Sequence, residues 1–156
     1  MPLKPITVCD LFASRQSLNG KYVAVIARQG STREGRWLAD MRCPDDVKLD
    51  GDKWPTSIWV EYDDSAHTAF AGTMLIDWNV TNPKFIDLQK TTKLRDDSDA
   101  WVIVYGRIET QAKLKRGSSN GEGGNGYGHL GASPVQLVVR EKDIKYFDPK
   151  DSRWLP

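Results

Sequence analysis

The stretch Gly20 to Cys43, GKYVAVIARQGSTREGRWLADMRC, limits the fold of this chain more than any other segment. Lys21 to Arg28 is rich in Val, Ile and Ala, and Arg36 to Met41 resumes with Trp37 and Leu38. Between them, Gln-Gly-Ser-Thr-Arg-Glu-Gly has turn chemistry and little to bury. Two strands joined by a polar turn form a β-hairpin, the start of a small curled sheet. On the first strand Val23, Val25 and Ala27 share one face, and Tyr22, Ala24 and Ile26 share the other. Both faces are mostly apolar, so this strand is expected to be covered on both sides for part of its length.

The other elements follow from periodicity and punctuation. Val8, Leu11 and Phe12 fall on one helical face, Thr7 and Asp10 are spaced as a capping box, and Asn19-Gly20 is a stop signal, which predicts a helix near 8–17. Asn82-Pro83 is a helix entry, and Phe85, Ile86 and Leu88 extend a second helix over 83–93. Strands are expected near 21–28, 36–41, 57–62, 100–110 and 135–140. In the fourth, Trp101, Ile103 and Tyr105 oppose Val102, Val104 and Ile108, and Gly106 marks a bend or bulge. Asp45 to Lys53 reads as an acidic loop, and Phe147 and Trp154 as anchors for a docked tail. Thr68 to Ile76 fits either a strand or a loop packed on the core. The expected core is Leu11, Val23, Val25, Leu38, Ile58, Val60, Val102, Val104, Ile108, Leu137 and Val139. With 156 residues, no repeat and no dividing linker, the chain is expected to form one domain, 1–156.

Several function classes are disfavoured. A net charge of +1 excludes a strongly basic or acidic protein, though not a local patch. No apolar run approaches the roughly 20 residues a membrane-spanning helix needs. Asp45, Asp46, Asp50 and Asp52 do not match the calcium-loop spacing, so no metal is expected. G-x-G-x-x-G occurs twice, at Gly121, Gly123, Gly126 and at Gly126, Gly128, Gly131, but no helix follows to hold a phosphate. No cofactor is expected. Cys9 and Cys43 leave two alternatives, reduced thiols or a disulfide. A disulfide would close a loop of about 35 residues, contribute ~3–4 kcal/mol, and place the protein in an oxidising compartment. Met-Pro-Leu-Lys-Pro has no apolar leader core. The expectation is therefore an extracytoplasmic location if Cys9 and Cys43 are bridged and a leader has been removed, and a cytoplasmic one otherwise.

The order helix, hairpin, strand, helix, strand, glycine loop, strand fits a five-stranded barrel with two helices. Val8-Cys9-Asp10-Leu11, Asn19-Gly20-Lys21-Tyr22-Val23-Ala24-Val25, Trp54-Pro55, Tyr105-Gly106-Arg107-Ile108-Glu109 and Gly126-Tyr127-Gly128-His129-Leu130-Gly131 carry a resemblance. In these segments the chain resembles a group of bacterial proteins of the oligonucleotide/oligosaccharide-binding (OB) type, a group with no established activity. The resemblance implies a mainly β, OB-like barrel and little about activity; with no catalytic motif in the chain, the leading expectation is a non-catalytic binding or interaction domain with an unidentified ligand.

In barrels of this type ligands lie across strands two and three, flanked by the loops joining strands one and two and strands four and five. Mapped here, the candidate ligand-binding residues are Arg28, Arg33, Arg36, Trp37, Trp59, Lys113, Lys115 and Arg116. Aromatic platforms beside cations suit a single-stranded nucleic acid, the runner-up reading. A saccharide or a protein are the other candidate partners. An enzyme is third: His129 stands near Ser133, His67 lies in Asp-Ser-Ala-His-Thr, and Glu61 and Glu109 could pair as acid and base.

Overall fold

The computed structural model describes residues 4–40, 42–65, 81–91, 99–118 and 123–155. His67, the segment 68–76 and the end of the second helix at 92–93 lie outside the described residues. The chain starts with a two-residue strand, β1 (Ile6–Thr7), which adds parallel to β2 (Tyr22–Thr32). Thr7 then caps α1 (Val8–Ala13): its hydroxyl accepts from the Asp10 amide at 3.1 Å, and Asp10 accepts from the Thr7 amide at 3.3 Å. That is the expected capping box. The helix does not run on to residue 17. Ser14 leaves the helical region at φ −121°, and a separate turn, α2 (Arg15–Leu18), follows.

β2 pairs along its first part with β7 (Ala100–Thr110) and along its last part with β3 (Gly35–Ala39). β3 pairs with β6 (Ile58–Tyr62), β6 runs parallel to β8 (Val135–Asp148), and β8 returns antiparallel to β7. The ring β2-β3-β6-β8-β7 closes on β2, which makes a closed five-stranded barrel. Closure explains why β2 is longer than the stretch 21–28. Gln29 to Thr32 have weak strand chemistry, yet their backbone groups are satisfied by β3, with Gly30 opposite Trp37 and Thr32 opposite Gly35.

Two cores account for the two apolar faces of β2. Inside the barrel, Val25 and Ala27 meet Leu38, Ile58, Val60, Val102, Val104, Ile108, Leu137 and Val139, and α1 plugs the end with Val8 and Leu11. Outside, Ala24 and Ile26 join Trp101, Ile103 and Tyr105 under Phe85 and Leu88 of α3 (Pro83–Thr91). Phe85 packs edge-on to Phe147 at 5.0 Å and lies 5.2 Å from Trp154, which belongs to the short β9 (Arg153–Trp154). The expected tail docking is this aromatic cluster. The helix between strands three and four thus covers the outside of the barrel, and the N-terminal helix fills its interior.

Gly106 lies where β8 shifts register against β7. A Cβ there would stand 2.5 Å from the Val138 carbonyl oxygen, so only glycine permits this approach.

The acidic segment is not a loop. Residues 46–55 form a hairpin, β4 (Asp46–Leu49) and β5 (Asp52–Pro55), with Asp50 and Gly51 both at positive φ in the turn. Asp-Gly is the preferred dipeptide for such a turn. Trp54 is fully buried beneath it. Two of the acids anchor backbone: Asp50 accepts from the Leu114 amide at 2.6 Å and Asp52 from the Arg116 amide at 3.4 Å.

Candidate functional site

Residues alternate along β3 and β6, so Leu38, Ile58 and Val60 point into the barrel while Trp37 and Trp59 point out. The two tryptophans are direct cross-strand partners. Their rings lie 6.5 Å apart with an interplanar angle of 24°. Glycines set this geometry. A Cβ on Gly30 would be 3.1 Å from Trp37 Nε1, and one on Gly35 would be 2.1 Å from the far edge of Trp59. Gly128, at φ +75°, would bring a Cβ to 2.2 Å from Trp59 Cδ2. The indole of Trp59 therefore stands among Trp37, Gly35 and the loop before β8, and its Nε1 donates to Glu61 at 2.9 Å.

Beside this pair opens a cleft of about 470 Å³. Its floor is Trp37 and Trp59. Its rim combines β2 and the β2–β3 turn (Arg28, Thr32, Glu34), the chain after β3 (Asp40, Asp45), the start of β6 (Thr56, Ser57), and His129 and Ser133 ahead of β8. An apolar floor with a few polar groups on the rim is the general form of a ligand site.

The sequence candidates are distributed unevenly around it. Arg28 lines the cleft, but its side chain is only 9% exposed and its guanidinium pairs with Asp99 at 2.9 Å. Arg33 and Arg36 line a separate groove on the far side of Trp59. There Arg36 donates to the Tyr62 hydroxyl and sits 5.2 Å above its ring. Burial lowers the pKa of Arg36, but the neighbouring Tyr62 more than offsets this and leaves it raised.

Lys113, Lys115 and Arg116 are absent from the described lining of the cleft. Their backbone is tied down. Asn125 accepts from the Lys115 amide at 2.8 Å and donates to the Lys113 carbonyl at 2.7 Å. Arg116 stacks on Trp54 at 4.8 Å and reaches the Ala132 carbonyl at 3.4 Å. The acidic hairpin thus holds the basic segment.

Glu34, Asp40, Asp45 and Ser57 were not among the candidates. Asp40 is completely buried at its side chain, where the Arg42 guanidinium grips both of its oxygens, at 3.2 and 2.9 Å. Hydrogen bonding to Asp40 raises the pKa of Arg42, which also reaches Asp87 of α3 at 2.9 Å. Cys9 and Cys43 are joined by a disulfide with Cα atoms 5.6 Å apart, and Cys9 Sγ lies 3.5 Å from Asp40 Oδ2. Cys9, Asp40 and Cys43 bring their ligand-type atoms within 4.8 Å of one another, but a disulfide sulfur is not a thiolate and does not ligate a metal as one. No sequence signal marks Asp40 or Asp45 as neighbours of Trp37. They meet only because β3, β4 and β6 converge.

His129 and Ser133 share the rim, but no hydrogen bond joins them; the Ser133 hydroxyl lies 3.4 Å from that of Ser57. Glu61 is engaged by Trp59. Glu109 pairs with Arg107 at 2.8 Å and accepts from Gln136 at 2.9 Å. Of the glycine loop, Tyr127 docks through a bridge to Ser133 and a hydrogen bond from Gln111 at 3.1 Å, while Leu130 remains 48% exposed.

No family model, curated protein or solved structure matches this chain. Among the described residues, no helix is long and apolar enough to cross a membrane.

Proposed function

We propose that this chain is a non-catalytic binding domain of the OB type, and that it holds a saccharide against Trp37 and Trp59. The ring order, with its parallel β6–β8 pair, supports the OB reading. One observation carries the ligand site: two outward tryptophans on the second and third barrel strands floor a cleft whose rim is hydroxyls, carboxylates, His129 and an arginine already paired with Asp99. Indole faces take up the C–H faces of sugar rings, and the rim groups suit hydroxyls. The disulfide supports an extracytoplasmic location.

Calorimetric titration with neutral oligosaccharides tests the saccharide reading. Binding to the native protein that weakens at least tenfold, ~1.4 kcal/mol, in Trp37→Ala is the expected result. If no panel of glycans binds, the reading fails.

Single-stranded nucleic acid is the second reading. Arg33 and Arg36 beyond Trp59 favour it, since a strand crossing that ring would meet both cations. Tryptophan quenching by a mixed-sequence strand, strong at low salt and lost at moderate salt, would support it over the saccharide. The third reading, an enzyme, draws on His129, Ser57 and Ser133 around the cleft; turnover of a generic ester or glycoside lost in His129→Ala would support it.

A further inference from the structure

We infer that Cys9, Asp40 and Cys43 form a zinc site in the dithiol state of the chain. The same residues then close the fold with a metal when reduced and with a disulfide when oxidised. Their ligand-type atoms already lie within 4.8 Å of one another. They come from two segments, Cys9 from α1 and the other two from the chain after β3. Asp40 and Cys43 are separated by two residues, the spacing of a zinc-binding knuckle. The Cys43 amide donates to the Asp40 carbonyl at 3.0 Å, which ties these two residues together without the disulfide.

Asp40 is the observation that points to an ion. Its side chain has no exposed surface, and Arg42 holds both of its oxygens. Asp40 Oδ2 also lies 3.5 Å from Cys9 Sγ. A disulfide sulfur has no hydrogen to donate, so the oxidised chain gains no hydrogen bond from this contact. Around a tetrahedral zinc, with bonds of ~2.3 Å to sulfur and ~2.0–2.2 Å to oxygen, a sulfur and an oxygen ligand stand about 3.5–3.7 Å apart. The carboxylate is already at that distance, and the grip of Arg42 is the outer-shell support that fixes a ligating carboxylate. Two thiolates on one zinc stand about 3.8 Å apart. With the Cα atoms 5.6 Å apart, rotation of the two side chains provides that separation.

Charge and donor type select the cation. Two thiolates and the Asp40 carboxylate, set against the Arg42 guanidinium, leave two negative charges for a divalent ion to balance. Two sulfurs and one oxygen suit zinc, whereas calcium and magnesium take oxygen ligands. Cys9 is only partly buried, and the fourth position opens there to water.

The change of state is thiol–disulfide exchange. A dithiol reductant gives up two electrons and two protons and closes its own disulfide, while the Cys9–Cys43 bond breaks and both sulfurs become thiols. Zinc then displaces the two thiol protons to solvent as it binds.

The test uses protein reduced with a dithiol and desalted without oxygen, titrated first with cobalt(II) and then with zinc against a chromophoric chelator. One equivalent of cobalt is expected, with thiolate-to-cobalt charge-transfer absorption and the visible bands of tetrahedral cobalt, and zinc should abolish both. Zinc should raise the melting temperature of the reduced protein and leave that of the oxidised protein unchanged. If reduction costs the chain its native circular dichroism, zinc should restore it. Asp40→Asn keeps both thiols and should bind zinc at least about tenfold more weakly; Cys9→Ser, which leaves the Asp40–Arg42 pair intact, should do the same. Absence of cobalt absorption, failure of zinc to stabilise or restore the reduced fold, or equal stabilisation of the oxidised protein overturns the inference. Zinc affinity within about twofold of native in Asp40→Asn also overturns it, leaving adventitious chelation by two cysteines.

Discussion

Replacing Cys9 and Cys43 together by alanine removes the cross-link between α1 and the chain that follows β3. The two cysteines are 34 residues apart. In the chain-entropy relation the unfolded state regains about 13 cal/mol/K for a loop of that size, or ~3.8 kcal/mol at room temperature. Packing loss adds to this, because the Cys43 sulfur lies among interior apolar side chains and its removal leaves a small void. For a domain of this size ~3.8 kcal/mol corresponds to a melting temperature lower by about 8–15 °C. With a urea m-value of ~2 kcal/mol/M the midpoint falls by roughly 2 M. The m-value itself should rise, since the unbridged unfolded chain exposes more surface. Urea unfolding, followed by far-UV circular dichroism and by tryptophan fluorescence, measures both quantities. The site should respond too: Cys43 follows the Asp40–Arg42 pair, and Val8 and Leu11 of α1 close the barrel. Coincident curves for the bridged and variant proteins, with midpoints within about 0.3 M, would refute the reasoning, because the loop entropy could not then be acting on the unfolded state.

Arg28→Met withdraws the guanidinium from a carboxylate that is 8% exposed, and is expected to cost about 3 kcal/mol, read as a lower urea midpoint; a loss below about 1 kcal/mol would mean that Asp99 is satisfied without Arg28. Gly128→Ala places a Cβ at positive φ against Trp59, so a destabilisation of ~2–4 kcal/mol and a shifted tryptophan emission are expected. Unchanged emission and stability would show that Gly128 does not pack on that ring. Burial pushes the Tyr105 phenol well above its ordinary pKa, so the native state keeps a proton that the unfolded chain gives up above pH ~10. Its contribution is complete below that pH and is lost as pH rises, so Tyr105→Phe should flatten the fall in urea midpoint between about pH 9 and pH 11; equal slopes in wild type and variant would sink this assignment.

What the sequence determined by itself was local. Alternation placed Val25, Val102, Val104 and Val139 on one side of their strands and Ile26, Ile103 and Tyr105 on the other, because side chains of an extended backbone alternate whatever the fold. The Thr7–Asp10 cap was legible because its groups lie within one turn. Gly106, and Phe147 and Trp154 as tail anchors, were legible as residue types out of place in their local pattern, although the contacts they make, with Val138 and with Phe85, are distant in the chain. The tertiary structure decided the rest, through contacts between residues distant in the chain. Gln29 to Thr32 became strand because β3 supplied their hydrogen bonds. The acidic hairpin formed where Trp54 could be buried and where Asp50 and Asp52 could hold the amides of Leu114 and Arg116. The same docking carried the cations of 113–116 away from the tryptophan cleft, and closure of the barrel brought Glu34 and Asp45 to its rim. Which charges surround a ligand is set by three-dimensional neighbours and by which of them are already paired. A pattern of residue types along one chain carries the charges but not their partners.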